Sequence, residues 1–120
     1  MFDHVGISVK DLAASVRFYT AALKPLGFEL CSRDEASAGF GPAGEPALWL
    51  YAAKTSPRPH THLAFRAKAK KAVDAFHAGG VEGGGKDNGK PGIRADYSPK
   101  YYAAFLHDPD GHNVEAVFLG

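Results

Sequence analysis

The chain has 120 residues, 14 Lys and Arg against 13 Asp and Glu, and a formal net charge of +1. That length suits one domain with its own apolar core. The balanced, scattered charge excludes the basic surface of a nucleic-acid or acidic-membrane binder, and the short Lys68, Lys70 and Lys71 group reads as a solvated helix face. Cys31 is the only cysteine, so neither an intrachain disulfide nor a thiolate metal cluster can form. With no basic-then-apolar leader and no run near the ~18 apolar residues of a membrane span, a cytoplasmic protein is expected.

In chain order, "FDHVGISV" at residues 2–9 has the alternation of a strand, and Leu12 to Leu26 reads as a helix with Val16, Tyr19, Leu23 and Leu26 near one face. Gly27 ends it. "FELCSR" and "ALWLYAA" read as strands, and the Gly- and Pro-rich stretch from Ser37 to Pro46 as turns between strands. A similar plan then begins again. "THLAFRA" is strand-like, Lys70 to Ala78 helix-like with a stop at Gly79-Gly80, and "GGVEGGGKDNGKPGIRADYSP" too rich in Gly for a long strand, hence a mobile loop. Tyr101 to His107 and Asn113 to Leu119 close the chain as two strands joined by Asp108-Pro109-Asp110-Gly111, which has the chemistry of a tight connection.

At an offset of 58 residues His4 falls on His62, Val5 on Leu63, Ile7 on Phe65 and Phe18 on Phe76. Element order repeats along with residue type, which points to one α+β domain built from a duplicated unit, about residues 1–56 and 60–120. Successive strand residues point to opposite faces. Val5, Ile7 and Val9 should therefore pack on the first helix, and Leu63 and Phe65 on the second, leaving His4 and His62 on the far side. In the last strand Glu115 sits between Val114 and Ala116, opposite in parity to both, and a buried carboxylate there needs a partner or a metal. If the four-residue turn sets the register, Ala104 lies across from Glu115, Tyr102 across from Val117, and Tyr102 shares the side of Glu115.

"DHVGISV" with "SVRFYTAALKPLGFEL", then "HLAF" with its helix, then "FLHDPDGHNVEAV" resemble the vicinal oxygen chelate superfamily of glyoxalases, bleomycin-resistance proteins and extradiol dioxygenases. The resemblance spans the whole chain. It implies two βαβββ modules whose mixed sheets curl around a cavity holding one divalent metal, with ligands at His4, His62 and Glu115. Two imidazoles and a carboxylate leave open positions for substrate oxygens or water, which suits Fe, Mn, Zn or Ni used as a Lewis acid. The resemblance further implies a homodimer and a small oxygen-chelating substrate, handled by lyase or isomerase, dioxygenase or transferase chemistry. A metal-free binding protein of the bleomycin-resistance type is the alternative.

One departure matters. Glyoxalase I has a further glutamate ligand on the last strand of its first module, and that position falls near Trp49, where no carboxylate is available. Trp49 and Tyr51 are expected instead to wall the pocket. Tyr102 reads as a cavity hydroxyl that orients substrate or relays a proton, with a ring that simply fills core as the competing reading. Arg66 is placed to hold an anionic substrate group, and Tyr97, Tyr101 and Arg94, in or beside the Gly-rich loop, to form a lid. A lone strand histidine is more often packed than ligating, so the case for His4 rests on its company with His62 and Glu115. His60 reads as a mouth residue, while His107 and His112 flank the turn and should be exposed.

Overall fold

A computed structural model describes residues 1–120. The first half runs β1 (Val5–Val9), α1 (Leu12–Leu23), β2 (Glu29–Arg33), β3 (Ser37–Gly41) and β4 (Leu48–Ala52). The second repeats it with β5 (His62–Arg66), α2 (Lys70–Glu82), β6 (Lys86–Ile93), β7 (Tyr102–His107) and β8 (Asn113–Phe118). Each half makes one four-stranded mixed sheet, ordered β1-β4-β3-β2 and β5-β8-β7-β6, in which the first strand runs parallel to the last. The fold is thus the duplicated α+β unit that the repeat implied, with each unit the βαβββ module that the resemblance implied.

Burial follows the strand parity. Ile7 and Val9 of β1, Leu48 and Leu50 of β4 and Phe40 of β3 are buried with Val16, Phe18, Tyr19 and Leu23 of α1. In the second half Leu106, Val114 and Ala116 are buried with Val73 and Phe76 of α2. Fully burying side chains of this size stabilises by roughly 1.5–3 kcal/mol each. The two helices pack on one another and each on its own sheet, so the opposite face of each sheet is left open.

Four elements differ from the sequence expectation. The first helix tightens into a 3-10 turn at Lys24–Leu26, where Pro25 lacks an N–H donor, before Gly27 closes it in the left-handed region. The second helix runs through Gly79 and Gly80 to Glu82. These glycines are packing residues rather than a stop: a Cβ on Gly79 would lie 2.8 Å from the carbonyl of Ala21 on α1, and one on Gly80 would overlap Leu106. Two glycine-rich segments read as turn and loop are strands. Ser37–Gly41 is β3, with Gly39 making room for the Trp49 ring, and Lys86–Ile93 is β6, an edge strand whose pairing with β7 shifts at Gly89 and again before Gly92. Edge position and bulges are what let Pro91 and these glycines sit in a sheet.

The connection between β7 and β8 ties the two modules together. Asp108 accepts from Tyr19 Oη (2.6 Å) and from the backbone N–H of Asp110 and of His112 (2.9 Å each). Asp110 accepts from the Lys10 N–H at 3.0 Å and from Ser56 Oγ at 2.5 Å. His112 Nδ1 accepts from the Thr61 N–H at 2.9 Å while Nε2 donates to the Ser8 carbonyl at 3.2 Å. His112, expected at the surface, is therefore wholly buried. Burial first, then the neighbouring Asp108 charge, pushes the Tyr19 phenol well above its ordinary pKa.

Candidate functional site

The open face of the second sheet carries a recess of about 310 Å³ lined by His62, Tyr97, Tyr101, Phe105, Asn113 and Glu115. Parallel pairing of β5 with β8 sets His62 beside Asn113 and Ala64 beside Glu115, so His62 and Glu115 come from adjacent strands and the same face. Glu115 is 2% exposed, yet both of its oxygens are engaged: Oε1 lies 3.0 Å from His62 Nε2, and Oε2 accepts from Tyr101 Oη. His62 remains half exposed, with its ring stacked on Phe105 at 6.4 Å. Burial first, then the bond to Glu115, pushes the Tyr101 phenol up to about 12.

The turn from Arg94 to Tyr101 holds the far wall. Arg94 donates from its backbone to the Tyr101 carbonyl at 2.7 Å, and its own carbonyl accepts from Tyr97 at 2.9 Å and Ser98 at 3.2 Å. Its guanidinium is tied to the Lys90 and Gly92 carbonyls and lies 5.4 Å from the Phe105 ring centre. Tyr97 meets Tyr101 edge to face at 4.9 Å. This segment, expected to be a mobile lid, is a hydrogen-bonded turn whose two tyrosines line the recess. Asn113 takes a bond from Asn88 Nδ2 on its carbonyl oxygen, which leaves its amide N–H groups free.

Tyr102 does not belong to this site. The observed register pairs Phe105 with Glu115 and Tyr102 with Phe118, one residue away from the register the four-residue turn suggested. His112 is drawn out of the strand by its bonds to Asp108 and to the first module, so the loop holds five residues, and a one-residue shift reverses every face. Tyr102 consequently turns to the helix side, donates to Asp74 on α2 at 2.6 Å, and lies under Lys70. Phe105 and Asn113 are the recess residues the sequence reading missed, and Tyr101, expected in a lid, lines the recess and bonds Glu115. The pull of a buried His112 on the turn would have found Phe105, and the parity of Glu115 would have found Asn113.

The remaining predicted residues are not brought to the recess by this chain. His4 lies just ahead of β1, 57% exposed in its side chain, and is paired with Asp3 at 2.7 Å. Trp49 and Tyr51 lie on the open face of the first sheet, where Gly39 and Gly6 make seats for their rings; a Cβ on either glycine would come within 2.9 and 2.7 Å of them respectively. Arg66 is exposed at the end of β5, outside the recess lining. His60 packs edge to face on His112 at 5.7 Å and faces a polar cleft at the β7–β8 turn instead. No three His, Cys, Asp or Glu side chains of one chain converge as a metal-binding group.

His62 and Glu115 nevertheless fit as two ligands of one ion. Donor atoms at about 2.1 Å from a common ion and at right angles to each other are about 3.0 Å apart, and that is the separation of Nε2 and Oε1. A separate apolar cleft of about 220 Å³ between β1 and β5 on the helix side, lined by Val5, Phe28, Leu48, Leu63 and Phe65 among others, has no titratable side chain and offers no such chemistry.

Paired βαβββ modules with a strand histidine and a buried strand glutamate on one open face define the class. The profile of the Glyoxalase/Bleomycin resistance protein/Dioxygenase superfamily matches residues 1–116, and the chain belongs to that superfamily. Among solved structures, a glyoxalase/bleomycin resistance protein from Albidiferax ferrireducens is 32% identical over 98% of both chains, with a TM-score of 0.85. A glyoxalase-related enzyme from Fulvimarina pelagi is 23% identical, covering 95% of this chain and 84% of its own, with a TM-score of 0.72. A glyoxalase/bleomycin resistance protein/dioxygenase family enzyme from Burkholderia phytofirmans shares the fold at 20% identity over 98% of each chain, with a TM-score of 0.74. No protein of curated function matches the sequence. No helix is long and apolar enough to cross a membrane.

Proposed function

We propose that the chain is a divalent-metal-dependent enzyme acting on a small oxygen-chelating substrate, by the lyase or isomerase, dioxygenase or transferase chemistry that a two-histidine, one-carboxylate site supports. The observation that carries this reading is a carboxylate, Glu115, buried on an open sheet face with His62 Nε2 at 3.0 Å. His62 and Glu115 would hold the ion, with His4 as third ligand. Because the chain leaves its own His4 beside Asp3, the third ligand is assigned to a second copy in a homodimer. Its support is that β1 and β5 are both sheet-edge strands without a neighbour on one side, and that His4, Trp49 and Tyr51 lie around an open sheet face free to cover the recess.

When bound, the ion supplies Lewis acidity to substrate oxygens. The side chains do the rest. Asn113 offers amide donors at the rim, Tyr97 and Phe105 limit access of water, and Tyr101 holds Glu115 in place. Trp49 and Tyr51, brought by the second copy, would add aromatic surface for an apolar or ring-bearing part of the substrate.

Binding without a metal is the second reading, favoured by the fact that both Glu115 oxygens already have polar partners within the chain. Elemental analysis and thermal melts titrated with Mn(II), Fe(II), Ni(II) and Zn(II) separate the two. The enzyme reading expects about one ion per chain and, at an ion concentration of 100 times Kd, roughly 2.7 kcal/mol of stabilisation. An ion-free protein whose melting point none of the four ions moves would leave the binding module.

A further inference from the structure

We infer that Tyr101 is a positioning residue that restricts Glu115 to one ligating oxygen. This rests on the metal reading above and concerns which atoms of Glu115 that reading can use. The Tyr101 hydroxyl donates to Oε2, and Oε1 is the oxygen that faces His62 Nε2. A carboxylate free at both ends can take an ion through either oxygen or through both. Here one end is tied, and the tie is stiff. Tyr101 closes a turn whose backbone bonds run Arg94 to Tyr101 and Tyr101 to Ser98, and the edge-to-face contact with Tyr97 at 4.9 Å holds the ring from outside. Phe105 lies directly across the ladder from Glu115 and stacks on His62. A rotation of Glu115 that carried Oε2 away from Tyr101 would break the phenol bond.

A carboxylate presented through one oxygen takes one coordination position instead of two and leaves the other for a chelating substrate. Outer-shell hydrogen bonds of this kind hold ligands in orientation, and removing one typically lowers metal affinity 10- to 100-fold. Tyr101 thus fixes both the affinity of the centre and the number of positions it keeps open. Neither property follows from the ligand identities alone.

The test compares wild type, Tyr101→Phe and Tyr102→Phe, all as full chains, with Zn(II) and Mn(II) as probes. Calorimetry gives the affinities, and infrared difference spectra give the splitting between the two carboxylate stretching bands of Glu115, identified by subtraction of the Glu115→Gln spectrum. The expected result is a wide, one-oxygen splitting in wild type and Tyr102→Phe. In Tyr101→Phe the splitting should narrow and the affinity fall about 10-fold or more, with the metal-free melting point within a few degrees of wild type. Metal binding by wild type and Tyr101→Phe with the same splitting and the same affinity overturns the inference and leaves the metal reading standing. Failure of wild type to bind either ion overturns the metal reading, and this inference with it.

Discussion

The two modules share one backbone plan and differ at one decisive position. Trp49 in β4 pairs with Gly6 of β1, and Glu115 in β8 pairs with Ala64 of β5, so tryptophan and glutamate occupy corresponding places in the two sheets. Their neighbours differ in the complementary sense. Trp49 lies over Gly39 of β3, whereas Glu115 faces Phe105 of β7. In the first module a bare glycine makes room for a large ring, and in the second a ring shields a charge from water. The repeat gives two matching scaffolds, and the side chains at one rung set a buried carboxylate in one half and an aromatic ring in the other.

Predictions follow from disturbing that asymmetry or the clamp that holds the halves together. The largest effect is expected from Asp108→Ala, which leaves the Tyr19 hydroxyl and two buried N–H groups without an acceptor. It should cost roughly 3–5 kcal/mol and lower the melting point by about 10 °C or more, as a thermal denaturation would read. Next comes Glu115→Gln, which keeps shape but removes charge; metal affinity should drop by at least ~100-fold, measured by calorimetry, with the far-ultraviolet dichroism unchanged. Trp49→Glu is the converse change. Placing a carboxylate at the matching rung should tighten metal binding by about 10-fold, since charged oxygen ligands raise affinity as their number grows, and an unaltered affinity would mean that the two rungs do not meet around one ion.

The smallest effect is expected at an ion pair of the second module. A hydrogen bond from His77, then one from the Gly89 N–H, lowers the Asp87 carboxyl from 3.8 to about 2. A carboxyl lowered on folding contributes above its unfolded pKa and loses that contribution as the pH falls through its folded one. Wild type should therefore lose a modest part of its stability between about pH 4 and pH 2 that Asp87→Asn does not lose, visible as a shallower acid limb in melts of the variant. Equal acid limbs would remove the pair from the account.

Much of this arrangement was legible in the sequence because apolar alternation is a local signal. The parity of Val5, Ile7 and Val9, and of Leu63 and Phe65, placed the helix-facing sides correctly. Glu115 stood out as a carboxylate among Val114 and Ala116. What could not be read locally is anything set by a distant partner. Gly79 and Gly80 look like a helix stop until Ala21 and Leu106 are seen against them. Lys86–Ile93 looks like a loop until β7 lies alongside. Tyr101 and Tyr102 exchange faces through a single residue of turn length, and that residue, His112, is held by Ser8 and Thr61 far along the chain. His4 is a different case. Strand parity assigns it to the far face, but it lies just ahead of β1 beside Asp3, and one chain brings no third ligand to His62 and Glu115.

The claim that the metal centre is assembled between two copies has a direct test in mixed variants. His4→Ala and Glu115→Gln homodimers, each depleted of metal, are unfolded together and refolded so that heterodimers form, and their Zn(II) content is measured after separation. In a shared site, one of the two centres in a heterodimer pairs an intact His4 with an intact Glu115 from the other copy, so about one ion per heterodimer should return. A heterodimer as empty as its two parents would contradict a centre shared between copies.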